Sequence, residues 1–448
     1  MYSEQIIAKL KDKNIAILGF GKEGKSTYNF IRRYLPTKKL TILDKNTITI
    51  NDDNVEIVTG FNYLDNLNSY DLIIKSPGIS LKDIDYTKYI NKITSQLELL
   101  MEVDRKNIIG ITGTKGKSTT TSLMYEVLKK QRNNVYLLGN IGIPVLDNID
   151  NYSENTLLVI EMSSHQLEFV KHSPHIAVIL NLFQDHLDHD GTLEHYHQNK
   201  MNIFKYQTSD DYALYADDNI YLNKLIKEYN YQAIKYNIRF DMKEKYGNYV
   251  RCDGKNIFIN DELIYTDKKR YLIGNHNLKN IMFVLTISKI LNLDMKQVIA
   301  TIENFKGLKY RMEFLGKFHN IKYYNDTIAT IPEATISAIE AIGDVDTLIF
   351  GGLDRKIDYT KFIEYLKKSF INNLICMPST GTKIGKILEK NTTKNIFYVN
   401  TLEEANKLAI RYTKKEKSCL LSPAAASYEY FKNFEEKGKA FEEIVKNS

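Results

Sequence analysis

The run Ile108-Ile109-Gly110-Ile111-Thr112-Gly113-Thr114-Lys115-Gly116-Lys117-Ser118-Thr119 decides how the rest of the chain is read. Its first five residues are mostly β-branched and predict a short buried strand, Ile108–Thr112, and a helical pattern follows over Thr120–Lys130. A glycine-opened turn between a strand and a helix is a phosphate cradle, because the helix start offers unpaired N–H groups and a positive dipole end. Within Gly113 to Thr119, Lys117 can reach the β- and γ-phosphates of ATP, and the Ser118 or Thr119 hydroxyl can hold Mg²⁺. The spacing G-x-x-x-x-G-K-[ST] is not met strictly here, since Ile111 stands where the first glycine belongs. It is met strictly at Gly19-Phe20-Gly21-Lys22-Glu23-Gly24-Lys25-Ser26. What separates the two loops lies downstream. The strand Leu157–Ile160 delivers Glu161 at its carboxyl end, the acid that Mg²⁺-dependent phosphoryl transfer needs, and no such acid follows a comparable strand after the first loop.

Outward from this loop, short apolar runs alternate with helical patterns. Strands are expected at Ile15–Leu18, Leu40–Leu43, Val55–Val58 and Leu72–Ile74, with a helix over Ser26–Tyr34. A second series adds Val135–Leu138, Leu157–Ile160 and Ala177–Leu180. A third adds Lys322–Tyr324, Thr347–Phe350, Leu374–Met377, Ile396–Val399 and Ser418–Leu421. Three βα series predict three α/β domains with parallel sheets, jointed near Gln96 and near Phe305-Lys306-Gly307, so 1–96, 97–305 and 306–448. The segment Tyr212–Ile273 differs: Asp253-Gly254 between two β-rich runs signals a hairpin, and the segment is expected to be an antiparallel extension of the middle domain.

Composition narrows the function. The 448 residues carry a net charge of only +6, without an Arg-rich tract or basic arm, so nucleic-acid binding is not implied. Cys252, Cys376 and Cys419 stand far apart, which excludes a zinc finger and a disulfide framework and suits a reducing cytosol. No apolar run approaches about 18 residues and no secretory leader is visible, so a cytoplasmic protein without a membrane partner is expected.

Two further constellations stand out. Gly19 to Gly24 follows a strand and opens a helix, and Asp44 ends the next strand, twenty residues on, which is a dinucleotide-type arrangement. In the second series, Glu161-Met162-Ser163-Ser164-His165-Gln166 and Asp185-His186-Leu187-Asp188 leave neighbouring strands at their carboxyl ends. One Glu, one His, a hydroxyl and phosphate oxygens suit Mg²⁺ better than zinc.

Taken with Tyr196-His197-Gln198-Asn199-Lys200, Gly274-Asn275-His276-Asn277-Leu278-Lys279-Asn280, Gly307-Leu308-Lys309-Tyr310-Arg311-Met312-Glu313, Asn325-Asp326 and Leu421-Ser422-Pro423-Ala424-Ala425-Ala426-Ser427 with Phe431-Lys432-Asn433-Phe434-Glu435, these motifs resemble the Mur ligase family along the whole chain. The resemblance implies three domains: a Rossmann-like UDP-substrate domain, a P-loop ATP-binding domain and a Rossmann-like glutamate-binding domain. It implies ATP-dependent addition of D-glutamate to UDP-N-acetylmuramoyl-L-alanine through an acyl phosphate, in peptidoglycan precursor synthesis, by a monomer. Residue by residue it implies Gly113, Thr114, Lys115, Gly116, Lys117, Ser118, Thr119, Asn277, Asn280, Arg311 and Asp326 at ATP, with the two asparagines at the adenine. Ser118, Thr119, Glu161, His186 and a carbamylated Lys200 would hold two Mg²⁺, and Lys117, Lys200, His186 and Glu161 would be the catalytic set. Gly21, Lys22, Glu23, Asp44, Ser76, Gly78, Asn140 and His186 would meet the UDP-substrate; Thr330, Arg355, Ser427 and Phe434 would meet glutamate.

The chain departs from the family pattern twice, both times in the amino-acid pocket. Where the family has Asn-Asp-Ser-Lys-Ala-Thr, this chain has Asn325-Asp326-Thr327-Ile328-Ala329-Thr330, and the lysine is gone. After Gly351-Gly352 come Leu353-Asp354-Arg355-Lys356, where the family commonly places one lysine. Use of L-glutamate therefore stays open. So do an NAD-dependent oxidoreductase built on Gly19–Gly24 and Asp44, an ATP-binding switch without turnover, and a folylpolyglutamate synthase, although that family lacks the first domain.

Overall fold

The computed structural model describes residues 1–183, 191–229, 231–240, 247–268, 270–354, 357–427 and 431–448. They form two compact bodies, Met1–Lys268 with Lys279–Ile302, and Lys269–Leu278 with Glu303–Ser448.

The first body contains two sheets. One has the order β3-β2-β1-β4-β5, from β1 (Ile15–Leu18), β2 (Leu40–Asp44), β3 (Val55–Thr59), β4 (Leu72–Lys75) and β5 (Ile93–Thr94), all parallel. The strand β1 is fully buried, with Ala16 and Leu18 in a core that includes Leu67, Leu81 and Phe169, which is why it reads as an unbroken apolar run. The other sheet has the order β14-β13-β12-β11-β10-β9-β6-β8-β7. Its strands are β6 (Ile108–Thr112), β7 (Val135–Gly139), β8 (Leu157–Glu161), β9 (Ile176–Ile179), β10 (Tyr212–Ala216), β11 (Ile234–Phe240), β12 (Asn248–Asp253), β13 (Asn256–Ile259) and β14 (Glu262–Thr266).

The antiparallel extension is smaller than the sequence suggested. Only β12-β13 and β13-β14 pair antiparallel, around the Asp253-Gly254 hairpin; β10, β11 and β12 continue the parallel sheet. The helix Ile220–Glu228 supplies the crossover from β10 to β11, and its short amphipathic pattern was hidden among tyrosines.

Both glycine-loop helices start earlier than expected, at Lys22 rather than Ser26 and at Lys117 rather than Thr120. The cause is conformational. Gly116, at φ +86°, takes the left-handed region as helix N-cap, so the loop lysine becomes the first helical residue.

The second body holds the order β15-β16-β20-β17-β18-β19: β15 (Glu313–Phe318), β16 (Ile321–Asn325), β17 (Val345–Phe350), β18 (Asn373–Cys376), β19 (Asn395–Tyr398) and β20 (Ser418–Leu421). All pair parallel except β15 with β16. Alternate residues serve opposite faces: Leu348, Phe350, Leu374 and Leu420 enter one core, and Ile349, Ile375, Cys419 and Leu421 the other. Among the described residues no helix is long and apolar enough to cross a membrane.

Candidate active site

At the carboxyl end of β6, Gly113 (φ +152°) and Gly116 turn the chain into the Lys117–Lys129 helix. The Lys117 ammonium folds back on its own loop, donating to Gly113 O at 2.8 Å and Thr114 O at 3.1 Å. Asn181, after β9, braces the loop from the side. Its Oδ1 accepts from Lys115 N–H at 2.8 Å and its Nδ2 donates to Lys115 O at 2.9 Å, while its carbonyl accepts from Thr114 N–H at 3.0 Å. Thr114 Oγ1 lies 3.1 Å from Tyr196 OH and accepts from Phe183 N–H at 2.9 Å. Ser118 is half-buried and Thr119 buried on the first helical turn. A Cβ on Gly116 would stand 2.8 Å from Asn280 Oδ1, so the Asn280 amide abuts the phosphate loop itself.

Glu161 ends β8 in the strand beside β6 and is 1% exposed. Its Oε1 accepts from Asn140 Nδ2 at 2.8 Å; its Oε2 is buried without a hydrogen-bond partner among the described residues. An unmatched buried carboxyl oxygen beside a phosphate loop fits a hard cation, and the remaining ligands of such an ion would come from phosphate and water. Among the described residues no group of three or more His, Cys, Asp or Glu is placed to hold a metal by itself. Lys200, on the Leu193–Lys205 helix, is 1% exposed, with Nζ 3.4 Å from Thr112 Oγ1 and 4.9 Å from the centre of the Tyr196 ring. Burial of an amine at the root of the phosphate loop, rather than on the solvated helix face, is unusual for lysine. Nearby His197 is also buried, and desolvation holds its imidazole below the usual histidine range. His186 and Arg355 lie outside the described residues.

The residues expected at the UDP-substrate make the following contacts within the chain. Asp44 accepts from Phe20 N–H at 2.7 Å and Asn46 N–H at 2.8 Å, clamping the first glycine loop. Ser76 Oγ donates to Gly19 O at 2.8 Å, and Gly24 approaches Gly19 so closely that a Cβ would stand 2.0 Å from Gly19 O. Lys22 Nζ donates to Gly142 O at 2.9 Å. Gln166 Nε2 donates to Glu23 Oε1 at 2.7 Å, and burial raises the Glu23 carboxyl above its usual range. Asn140, expected on substrate, donates from Nδ2 to Glu161 Oε1. Gly21 caps the Lys22–Tyr34 helix, and Gly78 has open space where a Cβ would stand. Sequence reasoning missed the adjoining cavity of roughly 190 Å³, lined by Lys45, Phe61, Tyr63, Leu64, Ser80, Leu81, Asp83 and Ile84. Phe61 is 92% exposed, with Lys45 Nζ 5.9 Å from its ring centre. The signal was available as an aromatic directly after Gly60 at the end of β3.

In the second body, Arg311 sits between Tyr310 (φ +64°) and Met312 (φ +43°), two non-glycine residues in the left-handed region, a strain typical of functional turns. Asp326 holds this turn, accepting from Met312 N–H at 3.1 Å and from Ser422 Oγ–H at 2.7 Å. Burial pushes the Asp326 carboxyl up to about 7, against those hydrogen bonds and the Arg311 charge. Asn277, also in this body, donates from Nδ2 to Ile273 O at 2.8 Å. Thr330 is half-buried, Ser427 Oγ is buried without a hydrogen-bond partner among the described residues, and Phe434 stacks edge-on with Tyr310 at 6.3 Å.

Comparison with known proteins agrees with this geometry. Residues 111–288 match the Mur ligase middle domain. A UDP-N-acetylmuramoylalanine--D-glutamate ligase of Clostridium botulinum (strain Loch Maree / Type A3) is 34% identical, over 97% of this chain and 97% of that protein. The protein of that name from Clostridioides difficile (strain 630) is 32% identical over 98% and 99%. Two solved structures share the fold: the UDP-N-acetylmuramate-alanine ligase MurC of Thermotoga maritima, with TM-score 0.57 at 19% identity over 97% of this chain and 99% of that one, and the MurF ligase of Thermotoga maritima in complex with ADP, with TM-score 0.58 at 19% identity over 98% and 96%. The chain belongs to the Mur ligase family, among the relatives named UDP-N-acetylmuramoylalanine--D-glutamate ligase.

Proposed function

We propose that the protein joins D-glutamate to UDP-N-acetylmuramoyl-L-alanine, converting ATP to ADP and phosphate, as a cytoplasmic step of peptidoglycan precursor synthesis. One observation carries this reading: the lysine-bearing phosphate loop follows the strand that pairs with the one ending in a buried Glu161 with an unmatched oxygen, in a chain that follows relatives of that name along nearly its whole length.

A carboxylate is a poor acyl donor, because its leaving group would be oxide. Transfer of the ATP γ-phosphoryl to it gives an acyl phosphate; the amine of glutamate attacks the acyl carbon, and phosphate leaves from the tetrahedral intermediate. The protein's part is mainly to hold anions in place and match their charge. Lys117 exchanges its two loop carbonyls for phosphate oxygens, and the helix start at Lys117 supplies N–H groups to the same anion. Asn181 and Tyr196 keep the loop shape while this exchange occurs. Asn140 fixes Glu161 through one oxygen and leaves the other directed to a cation. Magnesium, two ions in this reading, would neutralise phosphate charge, held by Glu161, the Ser118 or Thr119 hydroxyl, His186 and a carbamate on Lys200. The carbamate would turn a buried cation into an anionic oxygen ligand. Arg311 and Asp326 would serve ATP, and Thr330, Arg355, Ser427 and Phe434 the incoming glutamate.

The test is phosphate release from ATP with Mg²⁺ and UDP-N-acetylmuramoyl-L-alanine, with D-glutamate and L-glutamate supplied separately and the product identified by mass. D-glutamate-dependent release is expected. Preferential use of L-glutamate would overturn the acceptor, and no release with either would overturn the ligase reading.

A further inference from the structure

In the second body β15 and β16 are joined by His319 and Asn320, both in the left-handed region at φ +52° and φ +60°. A two-residue loop of that kind fixes the register of a hairpin. The ladder, through one bulge between Phe314 and Gly316, sets Glu313 opposite Asn325. The turn that enters β15 therefore lies beside the turn that leaves β16, and Arg311 stands in the first while Asp326 begins the second.

The N–H groups on either side of Arg311 each meet a carboxyl. Tyr310 N–H donates to Glu313 Oε2 at 2.8 Å, and Met312 N–H donates to Asp326 Oδ1 at 3.1 Å. Arg311 N–H donates to Leu308 O at 3.2 Å, and Tyr310 O accepts from Ile328 N–H at 3.1 Å. The positive φ of Tyr310 and Met312 is costly for residues with a Cβ and persists only where the surroundings impose it. The Tyr310 ring is seated on Gly438, where a Cβ would stand 2.2 Å from its Cδ1. Both carboxyls are thus engaged by backbone, and the guanidinium between them keeps a buried Nε without a hydrogen-bond partner among the described residues. An arginine held in this way offers its fork of donors to an anion. Burial raises the Glu313 carboxyl above its usual range; Glu442 adds to the rise, and the Tyr310 N–H, Lys309 and Lys446 oppose it. In either form the acid keeps an oxygen that can accept the Tyr310 N–H.

We propose that Glu313 is a positioning residue for ATP. Its oxygen holds the Tyr310 N–H and so keeps the left-handed turn that presents the Arg311 guanidinium to phosphate. Glu313 touches no ligand in this scheme and acts through Arg311. The inference rests on the ATP role given to Arg311 in the glutamate-ligase reading above.

The experiment measures phosphate release by the full chain while ATP, D-glutamate and UDP-N-acetylmuramoyl-L-alanine are varied in turn, for the parent, Arg311→Met, Glu313→Leu, Glu313→Gln and Glu313→Asp. Glu313→Leu fills the half-buried position and removes the acceptor oxygen; it should raise KM for ATP about tenfold or more and leave the other two KM values within about twofold. Glu313→Gln, with an oxygen in place, should stay within about threefold of the parent. An unchanged ATP KM in Glu313→Leu overturns the inference, as does a common rise in all three KM values or a Gln variant no better than the Leu one. Should Glu313→Leu fail to fold, Glu313→Asp decides, because it keeps the charge and withdraws the oxygen by one methylene: its ATP KM should exceed that of Glu313→Gln, and equal values overturn the inference. Arg311→Met separates the two readings. If it raises the ATP KM and Glu313→Leu does not, the inference alone falls; if it leaves the ATP KM unchanged, the ATP role of Arg311 falls and the inference with it.

Discussion

Replacing Asp326 by asparagine should make the protein's stability less sensitive to pH above 5. The carboxyl is buried and its acid form is favoured up to about 7, whereas an aspartate in the unfolded chain ionises near 3.8. Between those values the folded state keeps a proton that the unfolded state releases. The contribution is fully present below the unfolded value and is lost as pH rises through the folded one. At roughly 1.4 kcal/mol per pH unit, the whole loss is about 4 kcal/mol, and the part falling between pH 5 and pH 8 is about 3 kcal/mol. Asparagine keeps the shape and cannot ionise. Its Oδ1 can accept the Met312 N–H, and the Ser422 hydroxyl can turn to accept from its Nδ2. The rearranged contacts cost a pH-independent ~1 kcal/mol. Urea unfolding of parent and Asp326→Asn at pH 5, 6.5 and 8, followed by far-ultraviolet circular dichroism, should show the stability difference moving by about 3 kcal/mol in the variant's favour as pH rises. Parallel pH curves for the two proteins would mean that Asp326 ionises alike in both states, and the burial argument would be wrong.

Lys117→Ala should lower ATP-dependent phosphate release by about 10²-fold or more with the circular dichroism spectrum unchanged, because the phosphates lose the one lysine that starts the loop helix. Lys200→Ala should be inactive and partly restored by short-chain carboxylates, and ¹³C-bicarbonate should give the parent a carbamate carbon signal that the variant lacks. Phe61→Ala should raise KM for the UDP-substrate by a few-fold to a hundred-fold, equivalent to about 1–3 kcal/mol of base stacking, and leave KM for ATP unchanged. An unchanged UDP-substrate KM would remove the Phe61 cavity from the site.

The strands were legible because most are buried on both faces, so Ile15–Leu18, Ile108–Thr112 and Ser418–Leu421 stand out as apolar runs with the bounds the structure gives them. Asp44 and Glu161 were legible as the acids that end such runs, whereas Lys75 was not, although it too belongs to its strand. The glycine loops were legible from spacing, but their helices begin in polar first turns, after an extended Gly21 in one and a left-handed Gly116 in the other, which apolar periodicity cannot register. Glu161 could be placed from the strand that delivers it; its tie to Asn140 could not, because that contact joins β8 to the turn after β7. The burial of Lys437 was not legible, since burial of a single side chain leaves no periodic trace.

The ion pair between Lys75 and Glu168 bears on how such a protein can be recombined. Its charges meet at 3.0 Å with 2% and 5% of the side chains exposed, one at the end of β4 and the other just past the Ser164–Leu167 helix, and Phe169 enters the core of the first sheet. A chimera that takes residues 1–96 from a relative without a matching base would strand the Glu168 carboxylate away from water. Breaking a buried pair in this way costs about 3–5 kcal/mol. The graft would have to carry the 166–169 stretch with it, so the unit that can be exchanged is larger than the first sheet and reaches into the turn that follows Glu161.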